Sequence, residues 1–116
     1  MAKYERKFRG NFYEMLERLN EDIKRSSSSA SYEDGSDFIS GSTKAAVRVY
    51  ERYSMAGGNR DSLNVTLIDN GKELFLSAIT SGGSQAVFFK INTWGEETFL
   101  QICRESVEEY ISGYRG

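Results

Sequence analysis

Residues 63–78 read LNVTLIDNGKELFLSA, which is two alternating segments on either side of the dipeptide Asn70-Gly71. In the first segment the apolar residues stand at positions 63, 65 and 67, with polar residues between them, as in a half-buried strand. In the returning segment Leu74, Leu76 and Ala78 alternate with Phe75, Ser77 and Ile79. Asn-Gly is the strongest dipeptide signal for a two-residue primed turn. The stretch therefore predicts an antiparallel β-hairpin.

Further alternating segments on both sides of this hairpin predict a larger sheet. Residues 43–54 alternate clearly, and residues 3–9 and 86–91 are also predicted as strands. Residues 30–40 are polar and contain Gly35, which is typical of an irregular edge strand with a bulge. Short connections join the middle strands, so we expect them to pair antiparallel.

The spacing of apolar residues predicts a first helix over residues 11–25. Asn11 is its expected N-cap, and Glu14 is the partner in a capping box. Its apolar positions recur every three or four residues, and they are Phe12, Met15, Leu16, Leu19 and Ile23.

A second helix is predicted over residues 94–111. Thr93 and Glu96 form the pattern T-x-x-E, a second capping box, and Gly113 is the expected stop. Cys103 falls in the apolar stripe of this helix, where a buried and inert thiol is expected. The stripe consists of Trp94, Leu100, Cys103, Val107, Tyr110 and Ile111.

The predicted fold is a single α+β domain over residues 1–116. Its element order is β-α-β-β-β-β-(β)-α, with an antiparallel sheet of five or six strands. Both helices, about 11–25 and 94–111, are expected on one face of the sheet, leaving the other face to solvent or to a partner. A chain of 116 residues and 13.1 kDa is long enough for one core of its own.

The composition removes several function classes. The chain has no histidine and one cysteine, so it lacks Ser-His-Asp and Cys-His catalysis and has too few ligands for a zinc or iron–sulfur site. We expect no cofactor and no metal, and regard enzymatic activity as the least favoured reading. The net charge of −2 argues against a dedicated nucleic-acid binder, and no apolar run reaches the length of a membrane span. The first residues lack a signal-peptide pattern, and the lone cysteine fits a reducing compartment.

Three segments of the chain resemble a small bacterial family of unknown function. They are residues 78–97 (AITSGGSQAVFFKINTWGEE), 2–6 (AKYER) and 49–54 (VYERYS). The resemblance covers nearly the whole chain and implies a cytoplasmic bacterial protein, with no activity or catalytic residue to transfer. Separately, the element order is similar to small helix-grip and TATA-binding-protein-like folds, in which a curved sheet wraps around a C-terminal helix. Fold alone does not imply function.

Two glycine-rich segments and one carboxylate are the candidate ligand-binding features. The segment 81–85 exposes backbone N–H groups that suit an anion, or it is a wide connection between strands. The segment 55–60 is a small lid or a hairpin tip. Glu51 is in phase with Val47 and Val49, and a carboxylate that faces a core is a functional candidate. The candidate ligand-binding residues are Glu51, Ser81, Gly82, Gly83, Ser84, Phe89, Trp94 and Tyr110.

Arg48, Tyr50 and Arg52 lie on the other face of the same predicted strand. This basic and aromatic row is a candidate interaction surface on the uncovered face of the sheet.

Three functions stay open. The first is a module that binds a small apolar or anionic ligand in a pocket between the sheet and the C-terminal helix. The second is a protein-interaction module or homodimer that uses the uncovered face, and the third is a carboxylate-dependent enzyme.

Overall fold

The computed structural model describes residues 1–53, 60–82 and 89–116, with side chains in the last range described from Gly95 onwards. Five strands and two helices lie within these ranges. In chain order they are β1 (Ala2–Phe8), α1 (Phe12–Arg25), β2 (Ser31–Ser40), β3 (Thr43–Tyr53), β4 (Arg60–Asp69), β5 (Leu74–Gly82) and α2 (Phe89–Gly113).

The five strands form one antiparallel sheet in the order β1-β5-β4-β3-β2. The predicted α+β class, and both helices on one face, are confirmed. The polar strand β2 lies at an edge, and its pairing with β3 shifts register between Tyr32 and Asp34. This shift is the bulge expected from the irregular pattern of residues 30–40.

The predicted β4–β5 hairpin is present, but its turn differs from the expected one. Asp69 pairs with Leu74, so four residues form the connection instead of two. Asn70 Oδ1 accepts hydrogen bonds from the backbone N–H groups of Lys72 and Glu73, both at 2.9 Å. A type I′ turn needs two residues at positive φ, and here only Gly71 has one, at +93°. The asparagine side chain closes a longer loop instead.

Helix α1 begins at the predicted N-cap, but the predicted capping box with Glu14 is wrong, because the backbone N–H of Asn11 donates to the Tyr110 hydroxyl instead. The backbone N–H of Glu14 donates to Asn11 Oδ1 at 3.0 Å, which confirms Asn11 as the N-cap. The apolar side of the helix is buried against the sheet and α2 through Phe12, Met15, Leu19 and Ile23.

Helix α2 begins earlier than predicted. Residues 89–91, which we expected in a strand, belong to the helix, while residues 86–88 lie outside the described ranges. Thr93 is therefore inside α2, and the capping box with Glu96 is wrong. A short apolar run fits a buried strand or a buried helical turn equally well, so periodicity could not decide between them. Gly113 ends the helix as expected.

The side of β3 that the helices cover is the reverse of our prediction. Tyr50 and Arg52 are 1% and 8% exposed, whereas Val47 and Tyr53 on the other side are 39% and 52% exposed. Arg48, Tyr50 and Arg52 thus lie on the helix-covered side and cannot form a row on the uncovered one. The residues of β3 point alternately to its two sides, and this alternation alone does not show which side a helix covers.

The core fills the space between the sheet and the helices. Phe99, Cys103 and Val107 of α2 are fully buried, and burial raises the pKa of the Cys103 thiol to about 12. Cys103 is free, as predicted. Among the described helices, none has the length and apolar character needed to cross a membrane.

Candidate functional site

The elements that the two glycine-rich segments connect have their ends at the same end of the sheet. Strand β3 ends at Tyr53 and β4 begins at Arg60, while β5 ends at Gly82 and α2 begins at Phe89. The connecting residues, including Gly83 and Ser84, lie outside the described ranges. The strand ends beside them are described, and they carry an unusual group of charged side chains.

Three of these residues are register partners across β3, β4 and β5, on the side that faces α2. Arg52 is opposite Asp61, and Asp61 is opposite Gly82. Helix α2 brings Glu96 over the same place. A β-carbon added to Gly82 would lie 2.8 Å from Glu96 Oε2 and 3.1 Å from Asp61 Oδ1. We call Arg52, Asp61, Gly82 and Glu96 the loop-end cluster.

Asp61 is the most unusual member of the loop-end cluster. Asp61 is 0% exposed, and neither carboxylate oxygen has a hydrogen-bond partner in the described part of the chain. Burial, together with the nearby charge of Glu96, raises the pKa of Asp61 to about 6, although the charge of Arg52 acts in the opposite direction. Buried polar groups are normally hydrogen-bonded, so an unpaired buried carboxylate requires an explanation.

Arg52 is directed towards α2 and not towards Asp61. Its Nη2 donates to Thr98 Oγ1 at 2.9 Å and to the carbonyl oxygen of Gly95 at 3.4 Å. The guanidinium carbon lies 4.7 Å from the centre of the Phe99 ring, a cation–π contact. Arg52 therefore ties the end of β3 to α2, and it leaves the oxygens of Asp61 unbonded.

Glu96 completes the loop-end cluster from the helix. It is 6% exposed, and its Oε1 lies 2.7 Å from the amino nitrogen of Met1. Glu96 Oε2 and Asp61 Oδ1 both lie close to the place where a β-carbon of residue 82 would be. Two buried carboxylates thus converge over a residue without a side chain. They suit a ligand that donates hydrogen bonds or carries positive charge, and they disfavour the anion that we expected at Gly82.

Comparison with known proteins identifies the family. Residues 1–111 match the sequence model of a family of unknown function, DUF6054. The chain belongs to this family. The resemblance seen in residues 2–6, 49–54 and 78–97 is thereby confirmed. No curated protein and no solved structure matches the chain.

In this DUF6054 chain, two predicted ligand-binding residues lie on the opposite side of the sheet from the loop-end cluster. Glu51 and Ser81 are both register partners of Ser62, on the side away from the helices. Glu51 is in phase with Val47 and Val49, as predicted, but this side is not the core. Its Oε1 accepts a hydrogen bond from Arg60 Nε at 2.8 Å. Glu51 is therefore a paired surface carboxylate.

Tyr110 is at the far end of the molecule. A β-carbon added to Gly10 would lie 2.7 Å from Tyr110 Cε2 and 3.2 Å from Leu74 Cδ1, which places Tyr110 near the first residue of β5. Gly82 is the last residue of that strand, about 26 Å away at 3.3 Å per residue. The predicted site residues are therefore not gathered into one pocket. Phe89 and Trp94 lie in α2, but their side chains are outside the described part of the structure.

Asp61 and Glu96 are the residues that the sequence analysis did not select. Asp61 is in phase with Leu63, Val65 and Leu67, and the reasoning applied to Glu51 would have selected it. We began this strand at residue 63, which left Asp61 in a loop. Glu96 was assigned to a capping box because the helix was expected to begin next to it.

Proposed function

We propose that this protein is a small-molecule-binding module whose site is the loop-end cluster, between the sheet and α2. The observation that carries this proposal is the Asp61 carboxylate, which is fully buried and whose two oxygens accept no hydrogen bond from any described residue. An unsatisfied buried charge is costly, and a bound ligand that donates hydrogen bonds would remove this cost. Further along α2, the residues that face the sheet, Phe99, Cys103 and Val107, are fully buried.

The ligand class follows from the charges around the site. Nη2 of Arg52 already donates to Thr98 and Gly95, while its buried Nε has no partner among the described residues. The Met1 amino group pairs with Glu96, so the Asp61 carboxylate is the acceptor that no described group neutralises directly. A protonated amine supplies both the N–H donors and the positive charge that two adjacent carboxylates favour. We therefore propose a small cationic amine as the ligand. The cytoplasmic bacterial setting stays a prediction from the sequence.

The test begins with a native mass spectrum of the freshly purified protein, compared with its denatured mass. Thermal unfolding is then measured with ammonium, methylammonium and putrescine as probes, at constant ionic strength and pH 7.5. The test variants are Asp61→Asn and Glu96→Gln. Glu21→Gln is the matched control, because Glu21 is an exposed carboxylate on α1.

The proposal predicts that at least one amine raises the melting temperature of the native chain and of Glu21→Gln. Asp61→Asn and Glu96→Gln should each lose most of that increase, because each removes a charged acceptor. If no amine stabilises the native chain and its native mass shows no excess, the binding proposal is wrong. An equal shift in all four proteins would instead place amine binding away from the loop-end cluster.

A further inference from the structure

The side of the sheet away from the helices has no covering element in the described part of the chain. We call it the open face. One register row across all five strands of this face consists of Lys7, Phe75, Ile68, Ala45 and Phe38. Four of its five members are apolar, and Phe38 is 63% exposed. A continuous apolar row on an uncovered sheet is typical of an interaction surface.

A second row shows how charge is distributed over the open face. It consists of Lys3, Ile79, Asn64, Val49 and Asp34, from β1 to β2. The centre of this row has no charged residue, while its two ends carry opposite charges at exposed positions. The row between these two consists of Glu5, Ser77, Thr66, Val47 and Ser36, so its β1 end is acidic. On this face β1 thus carries Lys3, Glu5 and Lys7, a net charge of +1, and β2 carries Asp34. The charged residues between the two edges, Glu51 and Arg60, pair with each other.

This distribution is complementary to itself. We propose that the open face binds a second copy of this chain, face to face, with the two-fold axis running along β4. Rotation about an axis along the central strand places β1 of each copy over β2 of the other. Lys3 of one copy then faces Asp34 of the other, and the contact occurs twice because the two-fold repeats it. Ile79 faces Val49 in the same way.

The other simple two-fold arrangement is disfavoured by the same charges. An axis running across the strands would place β1 over β1, so that Lys3 of one copy would approach Lys7 of the other. The axis along β4 avoids this contact and brings Ile68 against its own symmetry mate. Arg60, at the end of β4, would also lie near the axis. Its charge is compensated within each copy by Glu51, at 2.8 Å.

The size of the open face is compatible with a dimer. Five strands about 4.8 Å apart and of seven to eleven residues give a face of roughly 600 Å². Standard interfaces bury about 800 Å² on each partner, so we expect a dimer of moderate affinity. Two sheets packed in this way would be aligned to within about 30°, as in a β-sandwich.

Sedimentation velocity over a range of concentrations tests the proposal, with Lys3→Glu, Asp34→Lys and the double variant. Each single reversal replaces two attractive contacts with two repulsive ones, and we expect it to raise the dissociation constant of the dimer at least about tenfold. The double variant restores opposite charges and should recover most of the affinity. Glu21→Lys, a charge reversal on α1, is the control and should leave the constant unchanged.

A crosslinking experiment tests the position of the axis. Asn64 lies on β4, so in the proposed dimer Asn64→Cys faces its own symmetry mate, and a short bis-maleimide should join the two chains. Glu21→Cys should not be joined at the same protein concentration. The native chain contains only the buried Cys103, so its reaction with the bis-maleimide measures the background crosslinking.

A monomer at every concentration would overturn the proposal. A dimer in which the double reversal does not restore affinity, or in which Asn64→Cys fails to crosslink, would overturn the proposed arrangement of the two copies. The proposal does not depend on the loop-end cluster, which is on the other side of the sheet. Asp61→Asn should therefore leave dimerisation unchanged even if no amine binds.

Discussion

The phenol oxygen of Tyr110, near the end of α2, accepts a hydrogen bond from the backbone N–H of Asn11 at 2.7 Å. Asn11 is the N-cap of α1, so a side chain 99 residues away satisfies a backbone donor at the start of this helix. The same hydroxyl lies 3.2 Å from Glu14 Oε1, to which it donates. In a capping box the Glu14 side chain would accept a hydrogen bond from the backbone N–H of Asn11. Here the Tyr110 hydroxyl is the acceptor instead.

Replacing Tyr110 with phenylalanine tests this contact. We expect Tyr110→Phe to lower the free energy of unfolding by about 1–2 kcal/mol, because the N–H of Asn11 loses its acceptor while the ring remains. Tyr13→Phe is the control, since Tyr13 is exposed and should change stability by less than about 0.5 kcal/mol. Urea unfolding measures both. Equal effects of the two variants would contradict the role given to the Tyr110 hydroxyl.

The stability of the protein should depend on the protonation of Asp61. Its pKa in the folded chain is about 6, above its ordinary value, so the folded state holds this proton more tightly than the unfolded state. The favourable contribution is complete below about pH 4 and is lost as the pH rises through 6. Asp61→Asn should therefore stabilise the ligand-free protein at pH 7.5 by about 2 kcal/mol and change it little at pH 4. Chemical unfolding at the two pH values measures the difference, and a variant less stable than the native chain at pH 7.5 would contradict this prediction.

Asp22 should show the opposite dependence on pH. Burial alone would raise its pKa, but hydrogen bonds from Ser106 Oγ at 2.7 Å and Arg18 Nε at 3.1 Å outweigh burial and lower the pKa. Its contribution to stability is present above pH 4 and is lost as the pH falls through the lowered pKa. Asp22→Asn should cost about 1 kcal/mol at pH 7 and less at pH 3, as measured by urea unfolding. A cost that did not fall at low pH would assign the effect to packing.

The close approach of β2 to β3 depends on Gly35. A β-carbon at this position would lie 2.5 Å from the Tyr32 hydroxyl and 2.9 Å from the backbone oxygen of Val47. Because the backbone of a paired strand cannot shift without losing its hydrogen bonds, Gly35→Ala should destabilise the protein by about 1–3 kcal/mol. Gly113→Ala is the control, since open space surrounds that glycine at the end of α2. Thermal unfolding compares the two, and equal melting temperatures would show that β2 adapts.

Local patterns in the sequence were sufficient for most of the secondary structure. Asn11 and the apolar spacing after it predicted α1 to within one residue, because capping and helical periodicity are properties of neighbouring residues. The irregular edge strand β2 was predicted from its polarity and Gly35 in the same way. The start of α2 was not predictable, because residues 89–91 are compatible with a strand or a helix. The length of the β4–β5 turn was also missed, since it depends on side-chain hydrogen bonds that Asn70 makes after folding.

The candidate site depended on contacts that only the folded chain contains. Asp61 and Glu96 are 35 positions apart, and nothing in their local sequence shows that both approach Gly82. The side of β3 that faces the helices was equally undetermined, because an alternating strand offers two regular sides. The sequence by itself determined which elements form, through capping, alternation and turn residues. Only the tertiary structure decided which residues those elements bury together, because packing against distant elements selects one side of each strand.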